Sequence, residues 1–181
     1  VNTVFSKDNK AAQRFGFQHI ETCFYNRLEA QIDTGKLMLR YQQLLAKAGI
    51  IQLNGITVAK INSNGTLLET SIGEIQTKNT VITVNGFAAQ FVEEDVAPAR
   101  AQVVVTSKIE NLKFKGTFHY DEGYYYFRNF ENRVLLGGGR NLDILGETTT
   151  DLNTTEKLMD NLKELLNTII LPETNFTIDY Q

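Results

Sequence analysis

Two periodicities alternate along this chain, and the change from one to the other marks its elements. From Asp33-Thr34 onward, Leu37, Tyr41, Leu44, Leu45 and Ala48 recur at helical spacing, and Gly49 follows as a stop. This pattern predicts an amphipathic helix leading into a short apolar strand, Ile50-Ile51-Gln52-Leu53. Ile56, Val58 and Ile61 then predict a strand. Asn62-Ser63-Asn64-Gly65 is a turn whose Asn-Gly pair tolerates positive φ, and Thr66 to Ser71 is the returning strand. Thr80-Val81-Ile82-Thr83-Val84 is continuously β-branched and ends in Asn85-Gly86, which predicts a strand buried on both faces.

The composition turns polar from Glu93 to Arg100, and a boundary is expected there, giving domains 1–92 and 93–181. Beyond it, Ala101 to Thr106, Thr117 to Tyr120, Gly123 to Asn129 and Arg133 to Gly137 read as strands of an antiparallel meander. A long helix is expected after Asn153, with Glu156 completing a capping-box-like start. Leu158, Met159, Leu162, Leu165, Leu166 and Ile169 form its apolar stripe, and Pro172 ends it. Asn175 to Asp179 reads as a last strand. The expected fold class is α+β: an antiparallel sheet with a long helix, joined to the back half of an α/β domain.

Composition narrows the function classes. Over 181 residues the net charge is -3 and the basic residues are scattered, which argues against a nucleic-acid binder. The single cysteine, Cys23, allows no internal disulfide and suits a reducing compartment. There is no apolar run long enough for a membrane span and no signal peptide, so a cytoplasmic location is expected. The chain opens on Val1, and its last strand runs to Gln181 without a closing turn, so both ends are expected to be cut.

Three stretches could carry chemistry. Strand alternation places Tyr124, Tyr126 and Arg128 on one face, opposite Tyr125 and Phe127. Two phenols and a guanidinium suit an anionic or amine-bearing ligand, while an ordinary aromatic sheet face fits the same pattern. Gly137-Gly138-Gly139 ends an apolar strand just before Arg140. Glycine there permits close approach of a ligand or of another backbone, or it forms a simple bulge. The turn after Val84, Asn85-Gly86, lies where open α/β sheets bind ligands. His19 and His119 lack companions at metal-ligand spacing, and neither a P-loop nor Gly-x-Gly-x-x-Gly occurs.

Four stretches together resemble the D-amino-acid oxidase-like (glycine oxidase and sarcosine oxidase) superfamily of FAD-dependent oxidoreductases. They are Gln31 to Leu37; Gly55 to Ile61 with the hairpin and Val81 to Ala88; Pro98-Ala99-Arg100-Ala101-Gln102; and Tyr124 to Arg128 followed by Arg133 to Arg140. The last of these is most similar to γ-glutamylputrescine oxidase-like amine oxidases. The resemblance implies an FAD-binding half-domain in 1–92 and a substrate-binding domain in 93–181. It implies FAD as cofactor of the intact protein, with Val58 touching the adenine and Asn85 and Gly86 near the dinucleotide. Tyr124 would face the substrate, with Tyr126 beside it, and Arg140 would lie above the flavin, with Arg128 the alternative carboxylate anchor. The implied partner is a small-molecule amine or amino acid. The family's glycine fingerprint for the FAD phosphates has no counterpart in these residues, so the piece by itself is expected to be inactive. A sheet-and-helix module that binds a small ligand or peptide without catalysis is the alternative reading.

Overall fold

A computed structural model describes residues 4–181. In chain order the elements are β1 (Phe5–Asp8), α1 (Ala11–Phe15), β2 (Cys23–Asn26), α2 (Thr34–Lys47), β3 (Val58–Ile61), β4 (Leu67–Thr70), β5 (Gly73–Gln76) and β6 (Val103–Thr106). There follow β7 (Thr117–Tyr120), β8 (Tyr125–Phe130), β9 (Arg133–Gly138), α3 (Glu156–Leu165) and β10 (Ile178–Tyr180). Helices and antiparallel sheets are mixed, as an α+β chain requires. By contacts the chain divides into two compact units, residues 4–31 with 99–181, and residues 32–98. The expected division at 92/93 groups residues 4–31 with the first domain. In the structure they pack with the later strands.

The larger unit is built on a five-stranded antiparallel sheet in the order β10-β6-β9-β8-β7. Alternation sorts its side chains: Val104 and Thr106, Tyr125 and Phe127, Val134 and Leu136 are buried on one face. The stripe on α3 covers that face with Leu158, Met159 and Leu162, and Leu166 and Ile170 continue it through a π-helical turn at Leu166–Ile170. Phe17, from the N-terminal segment, packs edge-on against Phe114, Phe118 and Phe127, with ring centroids 5.2–5.4 Å apart. This contact is why residues 4–31 belong to the sheet's core. Tyr125 ties sheet to helix, its hydroxyl donating to Asn161 Oδ1 at 2.7 Å. Tyr125→Phe should therefore cost about 0.5–1.5 kcal/mol in a denaturant titration and leave the fold intact.

The start of α3 differs from the expected capping box. Its N-cap is Thr155, whose side chain caps nothing. Instead the Thr155 N–H donates to Gln102 Oε1 at 2.8 Å. Asn153 is engaged with Asp151 Oδ1 instead.

The smaller unit holds α2 and the meander β3-β4-β5. The predicted turn forms: Gly65 has φ +68°, and Asn62 Oδ1 accepts from the N–H groups of Thr66 and Leu67. Asp33 caps α2 by accepting from Lys36 N–H at 2.9 Å. Two expected strands are absent. Residues 50–53 and 80–84 pair with no neighbouring strand, and Ile51 and Val81 are 83% and 82% exposed. β-branched residues favour extended backbone, but a strand also needs a paired edge, and neither segment has one within this unit. No residue from Ile32 to Pro98 is buried, and Met38, Leu39, Tyr41, Leu44 and Leu45 leave the apolar stripe of α2 open.

Candidate functional site

One face of the five-stranded sheet is closed by α3, so any site on this sheet must use the opposite face or the strand ends. Tyr126 and Arg128 are both on that opposite face, half-buried, in phase with Gly137 and Leu135 of β9. Tyr124 is not on the strand. It has helical backbone angles (φ -63°, ψ -26°) at the end of a 3-10 turn over Asp121–Gly123. Strand alternation therefore does not fix its direction, as the sequence pattern supposed. Its side chain is about half exposed. Burial pushes the Tyr126 phenol above its ordinary value, so it is neutral at physiological pH and able to donate a hydrogen bond.

The glycine run is explained by the chain itself. A Cβ on Gly137 would lie 2.6 Å from Tyr126 Oη and 2.9 Å from Val103 Cγ2. The missing side chain is the space in which the Tyr126 ring lies. A Cβ on Gly138 would lie 2.1 Å from the Tyr124 carbonyl oxygen. Gly139 N–H donates to that same oxygen at 3.0 Å. Of the readings open from sequence, close approach of another part of the backbone and of a neighbouring ring is the one realised.

Arg140 follows in a short 3-10 turn, Arg140–Leu142. Its Nη2 donates to Thr148 Oγ1 at 3.2 Å, so the guanidinium is held by the loop beyond the sheet rather than by a strand. The structure thus joins Tyr126 and Arg128 on one face and places Arg140 past the strand's end. Val58 opens β3, half-buried and opposite Thr70, and Asn85 (φ +49°) and Gly86 begin a 3-10 turn over Asn85–Gln90. A Cβ on Gly86 would lie 3.1 Å from Pro98 Cβ, a tight contact.

A buried polar network beside Arg140 was not anticipated. Glu147 is fully buried. Its carboxylate accepts from Arg100 Nε at 3.0 Å, Arg100 Nη2 at 2.6 Å and Gln102 Nε2 at 2.8 Å. The two bonds from Arg100 form a fork-to-carboxylate pair. Hydrogen bonding from Arg100, reinforced by Gln102, holds the Glu147 carboxyl below its ordinary value despite burial. Arg100 also donates to the carbonyls of Asp151 and Asn153. The signal available in the sequence was phase: Gln102 shares its side of the strand with Val104 and Thr106, which makes it a polar residue at a core position. Glu147, in the polar run Gly146 to Asp151, carries no such signal.

The larger unit is thus an antiparallel sheet with one helix-covered face, one face bearing Tyr126 and Arg128, and a strand end at Gly137–Gly139 packed against β8. The chain belongs to the FAD-dependent oxidoreductase family (DAO), whose profile matches residues 2–179. Among solved structures it is similar to L-proline dehydrogenase from P. horikoshii, with TM-score 0.72 and 16% identity, covering 97% of this chain and 50% of that one. It is also similar to glycine oxidase from Bacillus cereus ATCC 14579, with TM-score 0.72 and 14% identity, covering 96% of this chain and 50% of that one. At these identities the likeness concerns the fold, and the chain spans about half the length of either structure. No curated protein matches the chain in sequence.

The family is FAD dependent. Helix starts offer N–H groups to phosphates; at α2 the Asp33 carboxylate accepts from one of them, Lys36 N–H, and no side chain caps α3. The space at Gly137 and Gly138 is taken by the Tyr126 and Val103 side chains and by the backbone of Tyr124 and Tyr125, and Gly139 faces the Tyr125 ring. No helix among the described residues is long and apolar enough to cross a membrane.

Proposed function

We propose that the complete protein oxidises a C–N bond of a small amine or amino acid, and that residues 93–181 supply its substrate-facing surface. The observation that carries this reading is the two-sided sheet of a chain in an FAD-dependent family. One face is sealed by α3, and the other bears Tyr126 and Arg128, with Arg140 just past its end. When bound, FAD supplies the acceptor for hydride from the carbon bearing the nitrogen, and the resulting imine hydrolyses.

The chain's own residues bind and orient the substrate. Tyr126 presents a neutral phenol, which can accept from an amine or donate to a carboxylate. Arg128 and Arg140 offer planar donor forks suited to a carboxylate. Tyr124 borders the same strand end. Enclosure by these rings would exclude water and favour the neutral amine, the form that can lose hydride. Val58, Asn85 and Gly86 would border the dinucleotide, and residues 32–92 would belong to the FAD-binding domain. The open apolar stripe of α2 supports this, since an exposed stripe of that size marks a surface that packs against further protein.

The test is an anaerobic titration of the purified complete protein with amines and amino acids. A flavin spectrum that bleaches on addition of one of them is expected. A colourless protein, or a bound flavin that none of them reduces, overturns the reading.

A further inference from the structure

We propose that the buried network of Arg100, Gln102 and Glu147 is a positioning device for Arg140, acting through Thr148. The proposal rests on the reading of Arg140 as a substrate-facing carboxylate fork and adds to it how the side chain is aimed.

The geometry runs in an unbroken series. Glu147 is fixed at both backbone and side chain: its carbonyl accepts from Arg100 N–H at 2.8 Å, its N–H donates to the Asp143 carbonyl at 2.9 Å, and its carboxylate is clamped by Arg100 and Gln102. Thr148 is the next residue. Its hydroxyl proton is committed to the Ile144 carbonyl at 2.7 Å. A hydroxyl has one proton to give and two lone pairs, so with that proton committed, Thr148 Oγ1 can meet Arg140 Nη2 only as an acceptor. The donor-acceptor sense of each bond is thereby set, and Thr148 holds the guanidinium at Nη2. Gln102 ties the other end of the same turn, since its carbonyl accepts from Gly138 N–H at 3.2 Å. One residue of β6's approach thus fixes both the strand end before Arg140 and, through Glu147, the loop after it.

A planar fork gains from such fixing. An arginine in one orientation can meet a carboxylate with two parallel bonds and loses little rotamer freedom on doing so. Thr148 is exposed, so altering its hydroxyl should leave the core intact.

The experiment uses the complete FAD-loaded enzyme and two readouts: steady-state kinetics with amino acids, and perturbation of the flavin spectrum by acetate as the minimal carboxylate probe. Thr148→Val is expected to raise KM for amino acids and weaken acetate binding about tenfold, with kcat changed much less. Thr148→Ser, which restores the hydroxyl, is expected to recover both. KM for an amine without a carboxylate should not move in either variant. If Arg140→Ala weakens acetate binding but Thr148→Val does not, the positioning role is overturned while the substrate-facing reading of Arg140 stands. If Arg140→Ala changes neither readout, that reading fails and the proposal with it.

Discussion

Gly138→Ala is expected to be the most damaging single methyl group that can be added to this sheet, costing roughly 2–6 kcal/mol from the two effects of backbone strain and overpacking. Gly138 has φ +120°, a region that a residue with a Cβ rarely adopts. The new Cβ would also lie 2.1 Å from Tyr124 O, 2.8 Å from Tyr125 Cα and 3.0 Å from Tyr124 C. All three are backbone atoms, so no side-chain rotation relieves the contact. Gly138 pairs with Tyr125 in the β8–β9 ladder, and separating the strands would break that pairing and the Gly139 N–H bond to Tyr124 O. The expected measurement is a lowered unfolding midpoint. Gly137→Ala is the useful comparison, because its contacts are the Tyr126 ring and a Val103 methyl, which are side-chain atoms. A Gly138→Ala protein as stable as the parent would show that the β8–β9 pairing drawn above is wrong.

Glu147→Ala is expected to lower the thermal midpoint on the order of 10 °C. Most of the loss comes from what is left behind. The Arg100 side chain is 11% exposed and would lose its carboxylate partner, and Gln102 Nε2 would lose the same acceptor. Removing one member of a buried pair costs far more than the pair contributes over an apolar substitute. The wild-type interaction has a pH signature. The folded-state carboxyl is held below its ordinary value of 4.5 by Arg100. A depressed carboxyl binds fewer protons folded than unfolded, so its contribution is full above 4.5 and is lost as pH falls below that value through the lower folded one. The stabilities of wild type and Glu147→Gln should therefore converge as pH falls below 4.5 and keep a constant offset above it. Curves that stay parallel below 4.5 would remove the ion pair from the account of stability.

Much of the larger unit was legible in the sequence because its elements close on one another. The strands expected over Gly123 to Asn129 and Arg133 to Gly137 became β8 (Tyr125–Phe130) and β9 (Arg133–Gly138), and the stripe from Leu158 to Ile169 became the helix that covers them. Where the reading failed, the missing factor was a partner. Thr80 to Val84 has the composition of a buried strand, but within its unit no strand lies beside it. The capping box at Asn153 gave way because Gln102, far away in sequence, reaches Thr155 first. Tyr124 left the strand face because Asp121 and Glu122, both at positive φ, turn the chain just before it.

Taken alone, the sequence determined which residues alternate, which stripe a helix presents and where turns tolerate positive φ, because these depend on neighbours within a few positions. It determined the family too, through the order of short segments along the chain. Only tertiary structure decided what the glycines at 137–139 are for, since the atoms that need their space belong to Tyr125 and Tyr126 of β8, Val103 of β6 and Tyr124 in the turn before β8. It alone decided that Glu147 is a buried charge, because burial of a carboxylate requires donors brought from Arg100 and Gln102 across the fold. Local pattern fixes the pieces. Close packing and the need to pair every buried polar group fix how distant pieces meet, and those requirements are set by residues a sequence window does not contain.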